Sequence, residues 1–192
     1  MTRRMSDRQR GNVALEAILI FPTLLTIVFI AQDLFLVSRA RADLERSVAT
    51  LSTILASQDN LTAPGLKRLA TEVLQGSNGR YDLVVGQVWR NGQVAWGLPL
   101  EPVNGLCANP LKKDASYPGS LPDQDPKDDT KQVGLFVVQG CQDSGALGLS
   151  QLVLGSGVLK TVSVNRMRNP DLQLDAELRQ RAGLPPPDKT AN

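Results

Sequence analysis

The chain predicts an α+β fold: a long amino-terminal helix forming a membrane segment and then a stalk, followed by a small antiparallel-sheet head with a second short helix. Three observations predict it. An apolar run from Ala17 to Val37 is broken only by Pro22, Thr23, Thr26, Gln32 and Asp33. Beyond it, apolar residues recur in alternating steps of three and four as far as Leu55. Further on, two strand-like runs, Tyr81–Arg90 and Gln93–Leu98, meet at Asn91-Gly92, the favoured two-residue hairpin turn.

The bulk numbers exclude more than they assign. A chain of 192 residues holds one modest domain plus extras. Its net charge of +2 gives no case for nucleic acid. The sequence contains no histidine, which removes the commonest general base and metal ligand together. Positive charge is concentrated at the start, where Arg3, Arg4, Arg8 and Arg10 face only Asp7, leaving roughly +3 there.

The apolar run is long enough as a helix, roughly 31 Å, to cross a hydrocarbon core. The arginines before it place the leader in the cytoplasm and the carboxyl-terminal body outside. Arg39 and Arg41 follow the run but are balanced by Asp43 and Glu45. Three readings fit this terminus. A secretory signal peptide would use Ala40-Arg41-Ala42 as its cleavage site, but its apolar core would be overlong and would start with Glu16 inside it. Arg3-Arg4 has the form of a twin-arginine signal, but Met5, Ser6 and Asp7 follow where apolar residues are wanted. A plain membrane anchor would use Glu16 as a first-turn acid complementing the helix dipole. The third reading is a prepilin-type leader, 1–11, cut after Gly11 so that Asn12 becomes the first residue and Glu16 the fifth. It accounts both for the glycine and for a lone carboxylate, which a neighbouring chain's freed α-ammonium would neutralise in a packed bundle.

Gly11, Glu16 and Pro22, spaced Gly-x4-Glu-x5-Pro in an apolar segment, resemble the TadE-like proteins (TadE/TadF) of tight-adherence (Flp-type) pili. Such relatives commonly read Gly, a few small residues, Glu-Phe-Ala, aliphatics, then Pro and a leucine-rich run. Here the run is Glu16-Ala17-Ile18-Leu19-Ile20-Phe21-Pro22-Thr23-Leu24-Leu25, with Ala17 where the family usually carries a bulky residue. The resemblance covers about the first 55 residues and does not separate TadE from TadF; the chain length speaks against the larger TadG type. It implies a minor pilin (pseudopilin) acting in pilus assembly: processed by a prepilin peptidase at Gly11 and Asn12, assembled through Glu16 and Pro22, single-pass in the bacterial inner membrane with a periplasmic head, and incorporated in a pilus. Its implied partners are other pilins, the inner-membrane assembly platform and the membrane, with no nucleic acid, small-molecule substrate or cofactor. An unprocessed, membrane-anchored periplasmic binding or scaffolding protein is the alternative.

Pro22 removes one backbone hydrogen bond and is expected to bend the membrane helix, 12–37. The stalk, 38–56, continues it. Leu34, Val37, Arg41, Leu44, Val48, Leu51 and Leu55 form the seam of a helix lying along a partner, with Arg41 the polar break. One helix is therefore expected from about Val13 to Leu55, roughly 65 Å long, its upper half laid on the protein's own head. A short dimeric coiled coil is the alternative.

The head, 57–168, begins where Gln58–Gly65 breaks the pattern. A short amphipathic helix follows, with Pro64 in its first turn and Leu66, Leu69, Val73 and Leu74 on one face, ending at Gly76–Gly79. In the hairpin a two-residue turn sets Trp89 opposite Val94, so that Trp89 and Trp96 share a face as core residues. Further strands are expected at Gln132–Gly140 and Val158–Arg166, completing a sheet of about four strands. The proline-, glycine- and aspartate-rich stretch 98–130 reads as a long loop, with Cys107 near its start and Cys141 just past a strand. In an exported protein these two cysteines pair, a staple of about 4 kcal/mol on the chain-entropy model. The segment 169–192, ending at a proline run, is expected to be a disordered tail.

Catalytic chemistry is not advertised. Asp123, Asp125, Asp128 and Asp129 lack the glycine and closing glutamate of a calcium loop. Gly155-Ser156-Gly157 lacks the lysine of a phosphate-binding loop. Ser144 and Ser150 have no histidine to activate them. No catalytic, cofactor or metal residue is assigned, and a non-enzymatic role is expected.

Overall fold

The computed structural model describes residues 7–74, 80–100, 104–107, 111–122, 133–146 and 157–186, with side chains from Glu16 onward. The leader before Asp7, Gly76–Gly79, the four aspartates of 123–129, Ser150, Gly155-Ser156 and the tail from Pro187 lie outside the described residues.

The first element, α1 (Asp7–Ala56), is one helix of 50 residues, about 75 Å long. It starts six residues before the expected Val13 and runs unbroken through Gly11, Asn12 and Pro22. Beyond it come a two-residue strand β1 (Asn60–Leu61), helix α2 (Ala63–Leu74), strands β2 (Tyr81–Trp89), β3 (Val94–Leu100), β4 (Gly134–Asp143) and β5 (Val158–Arg166), a short β6 (Gln173–Leu174) and helix α3 (Ala176–Arg181). The four long strands form one antiparallel sheet in the order β3-β2-β4-β5, with α1 packed across β4 and β5 and against α2. The α+β architecture read from the sequence is therefore the one found.

The main core lies between α1 and one sheet face. Leu44, Val48, Leu51 and Leu55 of α1 meet Leu83, Val85, Trp96, Leu98, Phe136 and Val138, all buried. The seam differs from expectation at its lower end. Leu34 is 48% exposed, and Arg41 turns to water and bonds Glu45 at 2.9 Å. The head-facing stripe instead runs through half-buried Val37 and Ala40 to Leu44. Ala40 lies one turn below Leu44, so the same spacing is kept without burying a guanidinium. The helix comes close because β4 carries Gly140 at the crossing: a Cβ there would stand 2.5 Å from Val48 Cγ2 and 3.3 Å from Leu44 Cδ1.

The opposite sheet face has its own smaller core of Val84, Val88, Val94 and Val137, covered by Leu111 with Tyr117 and Leu121 packed alongside. Gly86 and Gly97 are direct cross-strand partners, and a Cβ on either would collide with Leu111. The paired glycines open a socket in the pleated surface, and the covering segment plugs it.

Three further expectations are corrected. The β2–β3 connection is a three-residue loop, Arg90-Asn91-Gly92. The Gly92 amide bonds Trp89 O at 2.8 Å, the Trp89 amide bonds Gln93 O at 2.8 Å, and Gly92 sits at φ 87°. That is a turn followed by a left-handed residue, which glycine adopts freely. Val94 consequently pairs with Val88 rather than Trp89, and a register shift restores the Gln87–Trp96 pair. Trp96 is core, edge-on to Phe136 at 5.9 Å, whereas Trp89 is half-buried. β4 runs past Gly140, so Cys141 lies inside the strand.

The expected disorder after Asn169 does not hold for the residues described there. β6 pairs in parallel with β1, and Leu172, Leu174, Leu178 and Ala182 enter the main core. Asp175 ties this corner together: its Oδ1 accepts from the Leu178 amide at 2.8 Å, capping α3, and its Oδ2 accepts from the Ala63 amide at 2.6 Å, capping α2. Polar composition concealed the segment: its apolar residues, Leu172, Leu174, Ala176 and Leu178, alternate with polar ones across the junction of a two-residue strand and a short helix, so neither element shows a period of its own.

Candidate functional site

The half of α1 that does not touch the head is the feature most in need of a partner. From Ile18 to Leu36 its large apolar side chains are exposed, among them Leu19 at 73% and Phe21 at 65%. Isolated apolar residues are normal on a surface, but a continuous sleeve of this kind is not stable in water. By length and composition this is a helix able to cross a membrane. Glu16 opens the sleeve and is exposed, so among the described residues nothing covers the carboxylate.

Pro22 sits within the sleeve without ending the helix. Thr23 Oγ1 donates to Leu19 O at 3.0 Å and Thr26 Oγ1 to Pro22 O at 2.8 Å. Both hydroxyls are thereby satisfied inside their own helix, a requirement in lipid. Farther along, Asp33 is only 5% exposed and lies on the stripe that continues into Val37, Ala40 and Leu44. Periodicity alone would have flagged it, because it falls seven residues before Ala40, two helical turns along the same stripe.

In the head, Cys107 and Cys141 form a disulfide with Cα atoms 5.5 Å apart. The cystine joins the covering segment to the middle of the sheet, beside a second fastening that sequence reasoning missed. Asp82, the partner of Cys141 across β2 and β4, is 4% exposed. Its carboxylate accepts from the amides of Asn104 at 2.6 Å and Leu106 at 2.6 Å, with the Cys107 amide at 3.3 Å and Asn104 Nδ2 at 3.1 Å. Burial alone would raise its pKa. The amide hydrogens of Asn104, Leu106 and Cys107, with the Asn104 side chain, outweigh that and hold the carboxyl below its ordinary value. The available signal was an acid within a strand whose other residues, Gln87 apart, are apolar, aromatic or glycine. Asp143, at the end of β4, is also held low, first by the Gly145 amide and then by Arg80, whose guanidinium lies 2.7 Å away.

The predicted assembly residues are thus strung along one helix rather than gathered in a pocket. Gly11 and Asn12 lie in its first turns, Glu16 at the start of the apolar sleeve, and Pro22 within it. The arrangement offers surface for packing against lipid or other helices. This is a type IV pilin-like architecture. Comparison with protein-family models, with curated proteins and with solved structures finds no match. The membrane-capable helix and the cystine in the head together suggest a membrane-anchored, extracytoplasmic domain.

Proposed function

We propose that this chain is a TadE-like minor pilin or pseudopilin acting in assembly of a tight-adherence (Flp-type) pilus. One observation carries the reading: α1 buries its upper half on its own head, and its apolar lower half, opening at Glu16, is left uncovered by the described residues. In this reading a prepilin peptidase cuts after Gly11 on the cytoplasmic side. The freed Asn12 ammonium of one subunit then meets Glu16 of the next, and the head contacts other pilins or the inner-membrane platform. Pairing removes the cost of a carboxylate at the edge of hydrocarbon, up to about 3 kcal/mol at full depth.

Amino-terminal sequencing of the native protein tests it, with Asn12 as the expected first residue. A start near Asp43 would mean a secreted soluble protein. A start at Met1 or Thr2 would support the second reading, an unprocessed single-pass anchor for a periplasmic binding or scaffolding head. The unbroken helix through Gly11 favours that reading, since proteolysis needs an extended bond. Glu16→Gln tests the carboxylate separately: unchanged assembly would refute its role even where the cut is found.

A further inference from the structure

The two edges of the head sheet are treated differently. The outer edge of β3 is closed: the Val94 amide bonds Ala115 O at 2.9 Å, the Asp114 amide bonds Val94 O at 2.9 Å, Gln93 bridges to Ser116, and Pro99 interrupts the donors. β5, the other edge, pairs among the described strands only with β4, in nine consecutive pairs without a shift. Among the described residues it has neither proline nor bulge nor covering segment, and the blunting device it does carry is charge, exposed Lys160 and Arg166. An edge left open beside one carefully shut is a place for another strand.

The side chains of β5 state what that strand should carry. Leu159 and Asn165 point toward α1, Asn165 bonding Ser52 at 2.7 Å. The alternate residues Val158, Lys160, Val162 and Arg166 are exposed, with Val158 at 47% and Val162 at 41%. The row therefore reads apolar, cationic, apolar, then cationic again past half-buried Val164. It ends at a cavity of about 400 Å³ between the ends of α1 and β5, lined by Thr53, Ser57, Asn165, Arg166 and Arg168. Among the described residues neither Lys160, Arg166 nor Arg168 makes an ion pair. A second copy of β5 fits poorly, because it would bring the same cations to the same edge. Its two-fold axis would also point the two α1 helices in opposite directions, which a shared membrane forbids.

We infer that β5 receives an extended segment of a partner protein, a segment whose every second residue, all on one face, is apolar opposite Val158, Val162 and Val164 and acidic opposite Lys160 and Arg166. Its backbone adds as a fifth strand. Its acidic side chains meet Lys160 and Arg166, and its end seats a carboxylate beside Arg166 and Arg168. The inference goes beyond the pilus reading and stands on the head alone.

The test uses the full chain in detergent micelles and a nine-residue valine–glutamate peptide, Glu-Thr-Val-Thr-Val-Thr-Glu-Thr-Val, whose alternate residues on one face meet Arg166, Val164, Val162, Lys160 and Val158 in antiparallel register, with binding followed by fluorescence anisotropy. Saturable binding is expected, weakened at least tenfold by Lys160→Glu with Arg166→Glu and weakened by added salt. A valine–lysine peptide should not bind. The same valine–glutamate peptide with alternate backbone nitrogens methylated should also lose at least tenfold, because it cannot complete the strand ladder. Retained binding of the methylated peptide would reduce the site to simple ion pairing and overturn strand addition. Absence of binding, or binding indifferent to the charge reversals in a variant that keeps its disulfide and circular dichroism, would overturn the whole inference.

Discussion

Replacing Gly140 by alanine tests how tightly the long helix is set on the head. The new methyl would stand 2.5 Å from Val48 Cγ2, about 1 Å or more inside normal carbon contact. Val48 cannot swing away cheaply, because a β-branched residue in a helix has one strongly preferred rotamer. The helix must lift, and Leu44, Val48, Leu51 and Leu55 share one core with Phe136 and Val138, so the loosening spreads along that row. Overpacking of this kind costs about 1–3 kcal/mol. Val48→Ala alone removes two buried methyl groups and costs about 2 kcal/mol. In the double variant the alanine methyl occupies space that Val48 vacated, so the pair should be less destabilised than the singles predict, by about 1 kcal/mol or more. Urea unfolding of the full chain in micelles, read by the fluorescence of buried Trp96, measures all three variants. Additivity within about 0.5 kcal/mol, or a neutral Gly140→Ala, would refute close approach as the reason for glycine here.

Three further outcomes follow from the fastenings of the head. Asp82 has a depressed folded pKa, so its stabilisation is complete above the unfolded value, about 3.9, and drains away as pH falls through the folded one. Asp82→Asn should therefore lower stability at neutral pH and flatten the acid limb of a stability-against-pH curve. Asp143 titrates in the same direction, so part of that limb will survive the substitution. Asp175→Ala strands the amides of Ala63 and Leu178 at once and should cost about 2 kcal/mol or more in thermal unfolding, roughly twice a single cap. Cys107→Ser with Cys141→Ser should cost about 4 kcal/mol on the loop-entropy model, and the wild type should migrate faster on a non-reducing gel than on a reducing one.

What was legible in the sequence was whatever repeats or runs unbroken. The apolar helix and the face of α2 through Leu66 and Leu74 carry helical periods, β3 and most of β5 alternate, and β2 and β4 stand out as continuous runs buried on both faces. Boundaries and registers were less legible, because single residues decide them. Ala95 and Gly92 convert the expected two-residue turn into a three-residue loop with a register shift. The β1–β6 pair joins residues more than 110 positions apart through two-residue strands, too short for any pattern. Asp175 could have been found from sequence, since an aspartate before Ala176-Glu177-Leu178-Arg179 is a helix-start signal. That it also caps α2 could not, because only the tertiary fold brings Ala63 to it. The same holds for the Gly86–Gly97 socket, whose meaning depends on Leu111 arriving from the covering loop.

The division of α1 into two halves leads to a last prediction. Every fastening of the head, from the cystine and Asp82 to Asp175 and the Gly140 crossing, lies at or beyond Leu44. Between Glu16 and Leu36 only Asp33 is buried, so the apolar sleeve adds almost nothing to the core. If the sleeve serves lipid or neighbouring helices, a fragment from Val37 to Asn192 should be soluble without detergent, form the same disulfide and unfold cooperatively. Its stability should lie within about 1 kcal/mol of the full chain's head, the scale of a surface change without a core contact. The full chain should need detergent or a membrane. A fragment that aggregates, or lacks the near-ultraviolet dichroism of an ordered Trp96, would show that the lower helix belongs to the head's own folding. The exposed sleeve would then be no argument for an assembly partner.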